Sequence, residues 1–151
     1  MSDQAIEVTK MMKVGHHGLE ICIIPEGQPL PKNGKLGKIE YLHLHRPFKG
    51  GATDFLIPTI HLPDLTKAFD FLKGADEESI PSVAVGVNAF TTLLYSDKLY
   101  NHKETKMHPQ LVRRFDNGTM KMDLFNAEVE PLLKYVHSFM ADLNVIDNAT
   151  T

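Results

Sequence analysis

Hydrophobic and polar positions alternate along much of the chain, and the period changes twice from two to about three and a half. Phe55, Ile57 and Thr59 alternate with Leu56, Pro58 and Ile60 before Leu65, Ala68, Phe69 and Leu72 recur at i, i+3, i+4, i+7. Further on, Met120, Met122 and Leu124 alternate with Lys121 and Asp123. Then Val129, Leu132, Leu133, Val136, Met140 and Leu143 take up the helical period. Each stretch predicts a strand that turns into an amphipathic helix. Asp64 or Thr59 is the expected cap of the first helix and Asn126 of the second, with Glu128 and Glu130 favourable in its first turn. Gly74 stops the first helix. A duplicated strand–helix unit and two unrelated strand–helix turns account for this pattern equally well.

Four more strands are predicted. Leu19 to Ile24 is an apolar, β-branched run. Lys38 to Phe48 alternates, with Leu42 and Leu44 on one face and Tyr41, His43 and His45 on the other. Ser82 to Tyr95 is apolar with Gly86 and Asn88 interrupting it, one bent strand or a strand and a turn. Gln110 to Phe115, a turn at Asp116-Asn117-Gly118 and Thr119 to Leu124 form the clearest hairpin. Residues 1–13 read as a short helix or an arm and Gly15 to Gly18 as a turn. Pro25 to Gly37, with Pro29, Pro31, Gly27 and Gly34, reads as a long loop, and Ser96 to Pro109 as a polar, basic one. The expected fold is α+β, an antiparallel sheet with two packed helices, in one domain over residues 1–143. The tail 144–151 lacks apolar periodicity and is expected to be disordered.

A chain of 151 residues is long enough for a sizeable core. It holds no signal-peptide pattern and no apolar run of membrane-spanning length. Cys22 is the only cysteine, so no intrachain disulfide forms. Its place in Ile21-Cys22-Ile23-Ile24 predicts a buried thiol in a reducing compartment, hence the cytoplasm.

The formal net charge is −3, but the charges are segregated. Lys32, Lys35, Lys38, Arg46 and Lys49 face one acid, Glu40. Lys98, Lys103, Lys106, Arg113, Arg114 and Lys121 face Glu104 and Asp116. Beyond Asp123 the acids Glu128, Glu130, Asp142 and Asp147 outnumber Lys134. The segment between Asp64 and Glu78 is acidic too, so basic charge falls on strands and hairpins, acidic charge on the helices and the tail. A sheet or loop face that holds a polyanion has this distribution, as does a solvated surface with chance clustering.

Two constellations bear on chemistry. His43 and His45 stand at i, i+2 on a strand, so they point the same way and suit a shared metal ion. Gly37 ahead of them matches the opening of a cupin motif. However, no Glu follows, the second cupin motif is absent, and Arg46 and Lys49 beside the pair would repel a cation. No metal is therefore expected, and a His-ligated metal protein is the lesser alternative. No nucleophile elbow, phosphate loop, dinucleotide fingerprint or zinc-protease motif occurs, so no enzyme is expected. The second constellation interleaves cations with flat side chains: Tyr41, His43, His45, Arg46, Phe48 and Lys49, then Tyr95, Lys98, Tyr100, His102, Lys103, Lys106, Arg113, Arg114 and Phe115, with Lys121 beyond them. Cations neutralise phosphates while aromatic rings stack on unpaired bases. With the helices acidic, single-stranded nucleic acid held on strands and loops is favoured over a helix in a duplex groove. Tyr95 and Phe115 as core residues among solubilising lysines are the simpler alternative.

Ile39-Glu40-Tyr41-Leu42-His43-Leu44-His45-Arg46 and Leu111-Val112-Arg113-Arg114-Phe115-Asp116-Asn117-Gly118 carry a resemblance of overall character across Leu19 to Met140. The chain resembles small phage-encoded single-stranded-DNA-binding proteins, in particular the Drc-like RNA polymerase cofactors of lytic podoviruses. The resemblance implies single-stranded DNA binding, self-association into a homo-oligomer and recruitment of a phage-type RNA polymerase, in the host cytoplasm. A small phage protein that docks on a host enzyme through its acidic helices is the main alternative. The chain departs from oligonucleotide-binding barrels in its two helices after strands, so their residue map does not transfer.

Overall fold

The computed structural model describes residues 10–15, 18–31, 34–73, 82–86, 91–96, 108–115 and 118–150, with backbone alone at 95–96 and 142–150. Among the described residues eight strands fall into two antiparallel four-stranded sheets, and the class is α+β. The first sheet is a meander of β1 (Met12–Val14), β2 (Leu19–Ile24), β3 (Tyr41–Phe48) and β4 (Gly51–Pro58). A 3₁₀ turn, Thr59–His61, leads into α1 (Leu62–Lys73). The second sheet is a meander of β5 (Ser82–Val85), β6 (Thr91–Ser96), β7 (His108–Phe115) and β8 (Gly118–Asp123), followed by α2 (Asn126–Thr150). The chain divides into two compact units, Met1–Thr59 and Ile60–Thr151. Among the described residues no helix is long and apolar enough to cross a membrane.

The order of four strands and a helix occurs twice, a larger repeat than the strand–helix unit visible in the sequence. The β3–β4 hairpin closes on the pair Phe48↔Gly51 and the β7–β8 hairpin on Phe115↔Gly118. Counted from those pairs, buried positions coincide. Leu44 matches Leu111, Phe55 matches Met122, and Ile57 matches Leu124. On the helices Leu65, Phe69 and Leu72 match Leu132, Val136 and Phe139. A two-residue link, Lys49-Gly50, joins β3 to β4, and Gly50 supplies the left-handed backbone it needs (φ +92°).

In the first unit one face of the sheet gathers Leu19, Ile21 and Ile23 on β2, Leu42 and Leu44 on β3, and Phe55 and Ile57 on β4, with Arg46 and Thr53 on the same face toward the hairpin. Strand alternation and antiparallel register place these residues side by side, with Ile21↔Leu44 and Leu44↔Phe55 as direct partners. In the second unit Leu93, Leu111 and Met122 occupy the same place, linked by Leu93↔Leu111↔Met122. Also in that unit, α1 buries Leu62, Leu65, Ala68, Phe69 and Leu72 and packs against β5, β6 and α2.

Several local expectations change. Residues 12–14 form an edge strand rather than part of a helix or arm. The third strand begins at Gly51, because Gly51, Ala52 and Thr53 continue the ladder opposite Phe48, Pro47 and Arg46. The apolar stretch after Pro81 is two strands with Gly86 between them in the left-handed region (φ +96°). The Pro25–Gly37 loop is tied across itself by Gly27 N–H to Gly37 O (2.9 Å) and Leu30 N–H to Lys35 O (2.8 Å). Thr59 and Asp64 do not cap α1: Thr59 Oγ1 donates to Glu40 Oε1, and Asp64 lies inside the helix. Asn126 is the first helical residue of α2. The Phe125 N–H donates to the fully buried Glu128 carboxylate (2.8 Å), which is half of a capping box. The tail expected to be disordered is helical in backbone to Thr150.

Candidate functional sites

The non-core face of the first sheet carries a polar cluster. His45 and Asp54 are direct cross-strand partners on β3 and β4, and His43 lies two residues back on the same face. His43 Nε2 and His45 Nδ1 each approach Asp54 Oδ1 to 2.6 Å, and the two rings meet edge-on at 5.8 Å. Cys22, the β2 partner of His43, places Sγ 3.7 Å from His43 Nδ1. A chain of hydrogen bonds satisfies these atoms: the thiol donates to His43 Nδ1, His43 Nε2–H donates to Asp54, and His45 Nδ1–H donates to the same oxygen. Partial burial works to raise the Asp54 pKa, but the hydrogen bonds and charge of His45 and His43 outweigh it, and the carboxyl is held below its usual range. Burial pushes the Cys22 thiol up, away from the thiolate a nucleophile needs.

The second sheet carries a related cluster. His108 Nε2 and Gln110 Nε2 both donate to Asp123 Oδ1 at 2.8 Å. His108 and Gln110 are buried and Asp123 is half-buried. On the same face toward the hairpin turn, Arg114 and Lys121 are exposed.

The residues expected to hold nucleic acid are only partly brought together. Tyr41 is half-buried, and His43 is 8% exposed with both ring nitrogens engaged, so His43 offers no stacking surface. Arg46 lies on the opposite face of β3 from the two histidines, because alternation separates neighbours. Its guanidinium is therefore not beside the His43–His45 pair, as the linear sequence implied. Lys49 is exposed in the hairpin link. Arg113 is half-buried on the Leu111 face, its Nε–H donating to Thr91 Oγ1 (3.0 Å), whereas Arg114 and Lys121 share the other face. Lys98, Tyr100, Lys103 and Lys106 lie outside the described residues.

One residue of these clusters was not singled out from the sequence. Asp54 completes the histidine cluster from the neighbouring strand. Its signal was the Gly50-Gly51 turn, from which the register can be counted to place Asp54 opposite His45. Phe48 and Phe115, 55% and 50% exposed, stand at equivalent hairpin ends, each two residues after an arginine. Both belong to the basic and aromatic groups read in the sequence, and the matched hairpin positions are what the register adds.

No protein-family model, no curated protein and no solved structure matches this chain.

Proposed function

We propose that the chain binds single-stranded DNA, without catalysis, through the ends of its two long hairpins. One observation carries this: Arg46-Pro47-Phe48 and Arg113-Arg114-Phe115 occupy the same place in the two sheets, and both phenylalanine rings face solvent. A phenylalanine left half in water forgoes about 1 kcal/mol of burial. Two such rings at matched positions, each beside cations, suit a ligand with flat apolar faces and a charged backbone. Stacking on an aromatic ring contributes about 1–3 kcal/mol per unpaired base. Lys49, Arg114 and Lys121 stand exposed near the same hairpin ends for phosphate contacts. Service to a phage-type RNA polymerase, with self-association, is the role that the resemblance adds.

The test is a gel shift on single-stranded and duplex oligonucleotides of one sequence at two salt concentrations. Salt-sensitive retention of the single strand is expected, weakened in a Phe48→Ala, Phe115→Ala variant. No shift at micromolar protein, or equal affinity for the duplex, sinks the proposal.

A further inference from the structure

We propose that His43, His45 and Asp54 form a binding site for a divalent first-row transition-metal ion. The inference does not depend on nucleic-acid binding. Among the described residues these three form the cluster whose ligand atoms, two imidazole nitrogens and a carboxylate oxygen, all lie within 4.8 Å of one another. Two imidazoles and one carboxylate are the donor set of transition ions. Calcium and magnesium prefer oxygen throughout.

The supports of these ligands are rigid. His43 and His45 project from the inner strand β3 and Asp54 from the neighbouring edge strand β4, on the face away from the Leu42–Leu44–Phe55–Ile57 core. His43 and Asp54 are held at side-chain exposures of 10% and 14%, while His45 at 27% leaves the cluster open to solvent on one side. Ligands about 2.0–2.1 Å from a tetrahedral ion lie about 3.3 Å from one another. The present 2.6 Å contacts are those of proton-mediated pairs, so a small rotation of the Asp54 side chain makes room for an ion. The ion then takes the place of the two protons that the histidines direct at Asp54 Oδ1. Each neutral imidazole keeps its one proton, which moves through solvent to Nδ1 of His43 and to Nε2 of His45, and the lone pair left behind binds the ion. Once Nε2 of His43 coordinates, its Nδ1–H donates to Cys22 Sγ, so the buried cysteine acts as the outer partner that fixes the ring. Three protein ligands leave a fourth position for water. The objection that Arg46 would repel a cation falls, because Arg46 projects from the other face of β3.

The test is calorimetric titration of the chelator-stripped full chain with Zn²⁺, and with Co²⁺ to read the visible absorption of a low-symmetry site. One ion per chain is expected. His45→Ala and Asp54→Asn should each weaken binding by at least about 100-fold, beyond the roughly 10–100-fold of an outer-shell partner, where Cys22→Ser should fall. Both primary variants sit at half-buried positions. Asp54→Asn keeps an acceptor for the two imidazoles, so it carries the test if His45→Ala proves unfolded by its melting curve in chelator. Sub-stoichiometric binding, or affinity unchanged in a folded Asp54→Asn variant, overturns the proposal.

Discussion

The two sheets repeat one another on one face and differ on the other. Counted from the closing pairs of their hairpins, Leu44 and Leu111, Arg46 and Arg113, and Phe48 and Phe115 are the same residue in the same place. On the opposite face His43 stands where Gln110 does, His45 where Val112 does, and Asp54 where Lys121 does. A carboxylate has been exchanged for an ammonium at one lattice point, and an imidazole for an isopropyl group at the next. Because successive side chains of a strand alternate, one face can be held by packing while the other varies in chemistry. The first sheet gathers groups suited to a cation; the second presents Arg114 and Lys121, suited to phosphate, and keeps its carboxylate, Asp123, further from the turn with His108 and Gln110.

The largest expected effects test the shared face. Leu44→Ala and Leu111→Ala should each cost about 2–5 kcal/mol in urea melts, because both side chains are fully buried. A loss below about 1 kcal/mol at either position would show that the two cores are not equivalent. Next comes Gly86, which closes β5 as Gly15 closes β1, both with positive φ. The conformational cost of Ala at such a backbone is about 1–2 kcal/mol. At Gly86 an added Cβ would also meet the His61 ring at 2.6–2.8 Å, raising the expected loss to about 2–4 kcal/mol. In a His61→Ala background the excess should disappear from the same melts. Phe48→Ala and Phe115→Ala should weaken single-stranded DNA binding by about 1–3 kcal/mol each, with zinc affinity unchanged. A loss confined to one of them would assign binding to a single sheet. The smallest effect is expected from Lys121→Ala, which should flatten the salt dependence of log K by about 0.7 while leaving the melting curve in place.

Where period and burial agree, the fold was legible. Leu19–Ile24, the β7–β8 hairpin and the face of α1 made of Leu65, Ala68, Phe69 and Leu72 follow from alternation or a helical period. β1 was not legible, because Met12–Val14 is too short to establish a period and is held by pairing with β2. The partition into two sheets was also hidden, since local pattern says which segments are strands but not which fail to pair. The last turns of α2 lack an apolar stripe yet continue the helix, as propagation costs far less than nucleation. Of the metal cluster, His43 and His45 could be read at i, i+2, whereas Asp54 arrives through register, a relation between strands. His43 looked like a stacking group in sequence. Its burial, and its bonds to Cys22 and Asp54, withdraw it from that role.

The strand order of the two meanders has a consequence for synthesis of the chain. In the first sheet every ladder joins a strand to the one made just before it, so all its pairings are available once Pro58 has emerged. Such pairings close short loops and form early. By contrast, α1 packs on β5 and β6, which are made later. During translation Leu65, Phe69 and Leu72 must wait with their apolar side uncovered until residues up to Ser96 appear. The interval between Lys73 and Ser96 is therefore when the nascent chain is most exposed to aggregation, and α1 is the segment a chaperone would hold.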